Sequence, residues 1–186
     1  MVKAIVALVA AWVAVMPALT VQDLEGKSWT PLAPAHGTID LLIFVSADCP
    51  ISARYSPEIN RILRDYAQAQ HVQAFLIYAD PNAERSAVRA NLKAFHDGLA
   101  VPAIIDSDMR LTIAVDAKVT PTAAIYTDAG RSYFGRIDNL YEEIGKNRRE
   151  ATEHDLRDAL NAVLAGRPVK TPETRAIGCF IERDLK

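Results

Sequence analysis

The sequence predicts an α/β protein whose mixed central β-sheet is flanked by helices on both faces. Three observations carry this reading. Ile39 to Val45 (IDLLIFV) and Val72 to Tyr78 (VQAFLIY) are nearly unbroken apolar runs, the pattern of strands buried on both faces. The stretches between and after them repeat apolar residues at spacings of three and four, as amphipathic helices do. Two further apolar strands are parted by Asp128-Ala129-Gly130, a hairpin signal, so the sheet cannot be wholly parallel.

Taken in order, the elements follow from local chemistry. Leu19 to Leu24 (LTVQDL) alternates and ends at Glu25-Gly26, predicting a short edge strand and a turn. After the strand Ile39 to Val45 comes a helix over Ala53 to Gln70, whose Tyr55, Ile59, Ile62, Leu63 and Tyr66 form one stripe. After Val72 to Tyr78, Glu84 to His96 predicts a second helix with Val88, Leu92 and Phe95 inward and Gly98 as its stop. Ala103 to Ile105 is a short strand and Met109 to Val115 a short helix, which Asp106 and Asp108 are placed to cap. Thr122 to Tyr126 and Arg131 to Ile137 form the hairpin. A last helix runs from a Thr152 cap, with Asp155 three residues on, to Gly166, and Lys146 to Glu150 before it reads as a solvated loop.

Composition narrows the function classes. The 186 residues support one sizeable core, and 21 basic against 23 acidic side chains leave no electrostatic footprint for nucleic acid. Lys3 is followed by the uncharged run Ala4 to Thr20, whose continuous apolar stretch Ala4 to Met16 has the length of a signal-peptide core and falls short of a spanning helix. We therefore expect residues 1–18 to be an export signal, 19–166 the folded domain and 167–186 a tail carrying Cys179. An exported chain is periplasmic or extracellular, and an uncleaved anchor is the one membrane contact foreseen. His36, His71, His96 and His154 are scattered, so no metal site is expected, and no cofactor motif is present.

The chemistry concentrates at the first strand-to-helix junction, Ser46-Ala47-Asp48-Cys49-Pro50-Ile51-Ser52. A cysteine there lies beside unpaired backbone N–H groups and the positive end of a helix dipole, and both favour thiolate over thiol. Pro50 suits the first helical turn, where its missing N–H costs nothing. Asp48 opposes the thiolate unless it is turned outward or accepts a proton. A plain buried cysteine is the competing reading of Cys49, and the polar flanks speak against it.

These residues resemble the thioredoxin-like superfamily, in particular exported redoxins of the alkyl hydroperoxide reductase and thiol-specific antioxidant type. Cys49-Pro50-Ile51-Ser52 stands where thioredoxins carry Cys-x-x-Cys, and Pro57 follows eight residues after Cys49 in the position of their helix-kinking proline. Val119-Thr120-Pro121-Thr122 is similar to the segment with a cis proline that faces the active cysteine. The resemblance spans residues 19–166 and implies a cis Thr120-Pro121 bond, whose neighbouring backbone would pair with an extended substrate.

Departures from the family pattern redirect the mechanism. Ser52 replaces the second cysteine, so no local disulfide forms. The peroxiredoxin motif is half met: Ser46 stands for its threonine, but its proline position is Leu42 and its arginine is missing. Ala53 lacks the second cysteine of copper-carrying relatives. Cys179 is left as the second thiol, within a Gly-Cys-x-Ile ending like that of some redoxin-like proteins. The expectation is an exported thiol-disulfide oxidoreductase: Cys49 is the nucleophile, and Cys179 or an external thiol resolves it. Ser46, Asp48, Pro50, Ser52, Thr120 and Pro121 support the site. Partners are a disulfide-bearing protein or small oxidant and an external thiol reductant. The alternatives are a weak peroxidase and a non-catalytic binding module stapled by a structural Cys49–Cys179 bond.

Overall fold

The computed structural model describes residues 18–67 and 71–183. The segment read as an export signal lies outside these except for Ala18. The elements in chain order are β1 (Val21–Gln22), β2 (Ser28–Trp29), β3 (Ile39–Val45), α1 (Pro50–Tyr66), β4 (Val72–Tyr78), α2 (Arg85–Phe95), β5 (Ala103–Ile105), α3 (Arg110–Val115), β6 (Val119–Thr120), β7 (Thr122–Thr127), β8 (Gly130–Gly135), β9 (Tyr141–Glu143), β10 (Lys146–Asn147), α4 (Asp155–Leu164) and β11 (Cys179–Phe180). Among the described residues no helix is long and apolar enough to cross a membrane.

The central sheet has the order β5-β4-β3-β7-β8. Its β3, β4 and β5 run parallel, while β7 is antiparallel to β3 and β8 antiparallel to β7. Side-chain alternation divides its two faces. Ile39, Leu41, Ile43 and Val45 join Ala74, Leu76 and Tyr78 against Tyr55, Ile59 and Ile62 of α1, Val88 of α2 and Leu156 and Leu160 of α4. Leu42, Phe44, Phe75 and Ile77 face the other way, onto Leu111 and Val115 of α3, Trp29 of β2 and Ile181 of the tail. Every residue of β3 is buried, which is why its sequence shows no polar face. Burying each such Leu, Ile or Phe contributes about 1.5–3 kcal/mol, so the two layers dominate the fold's stability.

Several expected boundaries shift for local reasons. Helix α1 begins at Pro50, three residues before the expected start, because the Cys49 side chain caps it. Asp106 caps α3, accepting from the N–H groups of Leu111 (3.1 Å) and Thr112 (2.7 Å) and from the Thr112 hydroxyl (2.7 Å). Asp108 instead faces solvent and, among the described residues, pairs only with Arg110, at 3.7 Å. Thr152 does not cap α4: its hydroxyl accepts from Asn139 and the helix starts at Asp155. Phe95, expected inward, is 40% exposed, and the neighbouring His96 takes the buried place. Two short antiparallel pairs were not foreseen: β1 with β2, and β9 with β10, the latter where a solvated loop was expected.

Two buried titratable groups on β3 and at the end of α2 pull stability in opposite directions. Burial raises the Asp40 carboxyl to about 7 and lowers the His96 imidazole to about 4. Folded Asp40 holds a proton that the unfolded chain loses near pH 4, so its contribution falls as pH rises from about 4 to about 7. Folded His96 refuses a proton that the unfolded chain accepts near 6.5, so its contribution falls as pH drops below that value. Asp40→Asn should therefore stabilise the protein by a margin that grows between pH 4 and 7, reaching up to about 4 kcal/mol, and then levels off. Urea unfolding of both proteins across that range measures the margin; one that stays flat or shrinks contradicts the assignment.

Candidate functional site

The site forms where β3 ends. Ser46 and Ala47 carry the chain out of the sheet, and Cys49 is the N-cap of the 17-residue helix α1. The Cys49 backbone is extended, with φ −86° and ψ 111°, and its sulfur accepts from the Ser52 backbone N–H at 3.3 Å. A cysteine sulfur thus replaces the usual Ser, Thr or Asp oxygen as the cap. The same geometry puts Sγ at the positive end of the α1 dipole, where a thiolate is favoured. Pro50 is at the first helical position and exposed. Pro57 lies within the helix.

The other expected residues gather around that sulfur with different contacts. Asp48 is exposed, and its N–H donates to the Ser46 hydroxyl at 3.3 Å. The Ser46 hydroxyl is therefore engaged with Asp48 backbone. Ser52 is buried and its hydroxyl has no hydrogen-bond partner among the described residues. Across the site, the Thr120-Pro121 bond is cis, and the Thr120 carbonyl oxygen lies 3.2 Å from Cys49 Sγ.

Cys179 closes the site. It is joined to Cys49 by a disulfide with a Cα–Cα distance of 5.9 Å, which closes a loop spanning 130 positions. The edge before Pro121, expected to be offered to a bound chain, is occupied by the protein's own tail: Cys179 pairs with Thr120 and Phe180 with Val119 in antiparallel register. Gly178 lies flat on the Thr120 carbonyl, where any β-carbon would collide.

Other contacts hold this tail independently of sulfur. The Thr174 N–H donates to the Phe134 carbonyl at 3.0 Å, and the Phe134 N–H donates to Pro172 at 2.9 Å. The Thr174 hydroxyl accepts from the Arg136 N–H at 3.0 Å and fills the space beside Gly135 that a side chain would otherwise occupy. Beyond the cysteine, the Ile181 N–H donates to Lys118 at 3.0 Å and its side chain enters the core, while Arg183 pairs with Asp116 at 3.1 Å. At about 1 kcal/mol per net hydrogen bond and about 2 kcal/mol for the buried isoleucine, these anchors match the 4–5 kcal/mol of so long a disulfide loop. The tail is thus held by two comparable devices.

Two clefts flank the tail. One of about 360 Å³ reaches both cysteines past Ser46, Asp48, Asp80 and Asn82. The other, about 720 Å³, lies between the tail, β8 and the β9–β10 turn, with Phe180 (81% exposed) and Ile144 (64% exposed) at its rim. Sequence reasoning missed Thr174 and Ile144, and took Ile181 only as part of the Gly-Cys-x-Ile ending without its place in the core. The Gly178-Cys179 pair was the readable signal for the tail, since glycine before cysteine permits a close backbone approach. Among the described residues no cluster of three or more His, Cys, Asp or Glu side chains is arranged to hold a metal ion.

No protein-family model matches the chain, and no curated protein does. Solved structures do. The chain is similar to a hypothetical protein of Sinorhizobium meliloti, with 27% identity over 90% of this chain and 92% of that one and a TM-score of 0.73. An uncharacterized conserved protein of Geobacillus kaustophilus gives 22% identity, coverage of 91% and 90%, and a TM-score of 0.76. A secreted Mycobacterium tuberculosis disulfide oxidoreductase homologous to E. coli DsbE gives 18% identity, coverage of 78% and 96%, and a TM-score of 0.56. The strand order and these likenesses show a thioredoxin-like fold.

Two outcomes test the tail's attachment. Gly178→Ala should force Thr120 and the tail apart and cost the oxidised protein about 1–3 kcal/mol in urea unfolding. An unchanged midpoint would mean that the close approach carries no weight. After reduction of the disulfide, the amide of Ile181 should remain protected from hydrogen exchange; exchange at the rate of a free peptide would show that sulfur alone holds the tail.

Proposed function

We propose that the protein is an exported thiol-disulfide oxidoreductase whose Cys49–Cys179 pair cycles between disulfide and dithiol. The single observation behind this is the position of the bond: its Cys49 sulfur caps a long helix and faces the carbonyl before a cis proline. A sulfur so placed is a stabilised thiolate once reduced, hence both a nucleophile and a good leaving group. In the dithiol form the Cys49 thiolate attacks a substrate disulfide and releases one substrate thiol. The Cys179 thiolate then attacks Cys49 Sγ, releases the second and restores the internal bond. Two electrons pass to the substrate, and two equivalents of an external thiol return them, leaving as one disulfide. Export is supported by the apolar amino-terminal run and by the secreted status of the mycobacterial neighbour.

The substrate is a disulfide-bearing protein or a small oxidant. The cleft of about 360 Å³ admits a small molecule with the tail in place, whereas an extended polypeptide must displace β11 from β6. Weak peroxidase activity is the alternative within this chemistry, but Leu42 in the proline position and the missing arginine speak against efficient peroxide reduction. A second reading, a binding module in which the bond is a permanent staple, draws on the anchors at Thr174 and Ile181, which hold the tail as a structural element would.

Counting free thiols before and after mild dithiothreitol, and following Cys49 alkylation against pH in the reduced protein, separates these readings. The oxidoreductase reading expects two thiols released, a Cys49 titration below about 7, and loss of insulin-disulfide reduction in Cys49→Ser. A bond that resists dithiothreitol, or a thiol titrating near 8.5, establishes the staple instead.

A further inference from the structure

The two sulfurs of the disulfide differ in surroundings, and the difference assigns them different parts in the bond's reduction. Cys49 is 3% exposed, under the tail and against the core. Cys179 lies on a two-residue strand at the surface, is only half-buried, and is followed by Phe180, which is 81% exposed. An incoming thiol thus meets Cys179 first.

Leaving-group chemistry points the same way. A disulfide breaks faster when the departing sulfur is the better stabilised thiolate. If Cys179 is attacked, the electron pair goes to Cys49 Sγ, which already accepts the Ser52 N–H at 3.3 Å and sits at the start of α1. If Cys49 is attacked, the pair goes to Cys179, which heads no helix and is followed by Glu182 in the same cleft. The Ser52 hydroxyl is buried and unpartnered among the described residues, yet belongs to the residue whose N–H touches Cys49 Sγ. An orphaned buried hydroxyl is costly, and although it makes no bond to Sγ in the disulfide, rotation towards a newly formed Cys49 thiolate would give it the acceptor it lacks. Once a proton arrives, the Cys49 thiol can donate it to the Thr120 carbonyl, 3.2 Å away.

We infer that external thiols reduce this protein by attacking Cys179, with Cys49 as the leaving thiolate and Ser52 as the residue that positions and stabilises it. This rests on the redox reading above and deepens it. A thiolate RS⁻ bonds to Cys179 Sγ and the Cys49–Cys179 bond breaks, its electron pair passing to Cys49 Sγ. A second RS⁻ attacks the R sulfur of the mixed disulfide, releasing RSSR and the Cys179 thiolate. Two thiols become one disulfide, the protein gains two electrons, and solvent protonates the cysteines. Cys49 thus carries the negative charge in both half-reactions, as nucleophile towards a substrate and as leaving group towards a reductant. The tail cysteine is the sulfur that faces the reductant.

The test uses the oxidised full-length protein and β-mercaptoethanol, with rapid acid quenching, alkylation of free thiols by N-ethylmaleimide and mass-spectrometric mapping of the earliest time points. The expected product carries mercaptoethanol on Cys179 and N-ethylmaleimide on Cys49, in roughly ten-fold excess over the reverse. The reverse pattern, or equal amounts, overturns the inference while leaving the redox reading intact. No reduction at all overturns both. Ser52→Ala tests the leaving-group role: it should slow mercaptoethanol reduction several-fold and move the Cys49 alkylation profile to higher pH, while the oxidised protein keeps or gains thermal stability because an unpaired hydroxyl is gone. An unmoved profile would reduce Ser52 to a packing residue and remove it from the assignment.

Discussion

The antiparallel contact between β11 and β6 is the constraint on which the site depends. Thr120 has its carbonyl beside Cys49, its peptide bond to Pro121 is cis, and its backbone is the register partner of Cys179. These three relations fix the tail cysteine opposite the helix cap without any help from the sulfur atoms. Gly178 makes the contact close enough, since a side chain there would strike Thr120. A disulfide between residues 130 positions apart is then a consequence of local strand pairing.

The sheet supplies the rigid half of this arrangement. Because β3 is buried on both faces, its carboxyl end is held between α1 and α3 with little freedom. Cys49 is four residues beyond Val45, the last residue of that strand, and takes its orientation from the helix it caps. The tail supplies the adjustable half, with Thr174 tied to β8, Ile181 in the second core layer and Phe180 left outside. A helix-capping, buried sulfur opposite a surface sulfur on a strap is an asymmetric pair, and the division of roles proposed above rests on that asymmetry.

Much of the fold is legible in the sequence where burial is one-sided or complete. The strands β3, β4 and β5 coincide with their apolar runs because nothing else competes for them. The junction at Cys49 and the bend at Pro121 stand out because cysteine and proline carry local instructions. What was hidden follows from contacts distant in sequence. Two-residue strands such as β2, β10 and β11 have too few residues to show alternation. Phe95 and His96 exchanged roles because the His96 ring nitrogen meets Asn60 Oδ1 at 2.6 Å, a partner 36 residues away. Thr152 was drawn from its expected cap by Asn139 for the same kind of reason. Chain spacing alone left the tail's route open: Gly178 and Cys179 hinted at a return to the helix start, but the docking strand is set by backbone groups that every residue possesses.

The bond between positions 49 and 179 also makes the chain a covalent ring. The whole central sheet except β3 lies within that ring, while β1, β2 and β3 lie before it. A peptide-bond cut anywhere inside leaves one molecule of unchanged sulfur connectivity, and its two pieces separate only on reduction. A cut before residue 49 leaves its fragment with no covalent tie, held only by packing and strand pairing. Integrity after nicking therefore depends on the same two sulfur atoms to which the proposed redox cycle is assigned, and reduction of their bond opens the ring.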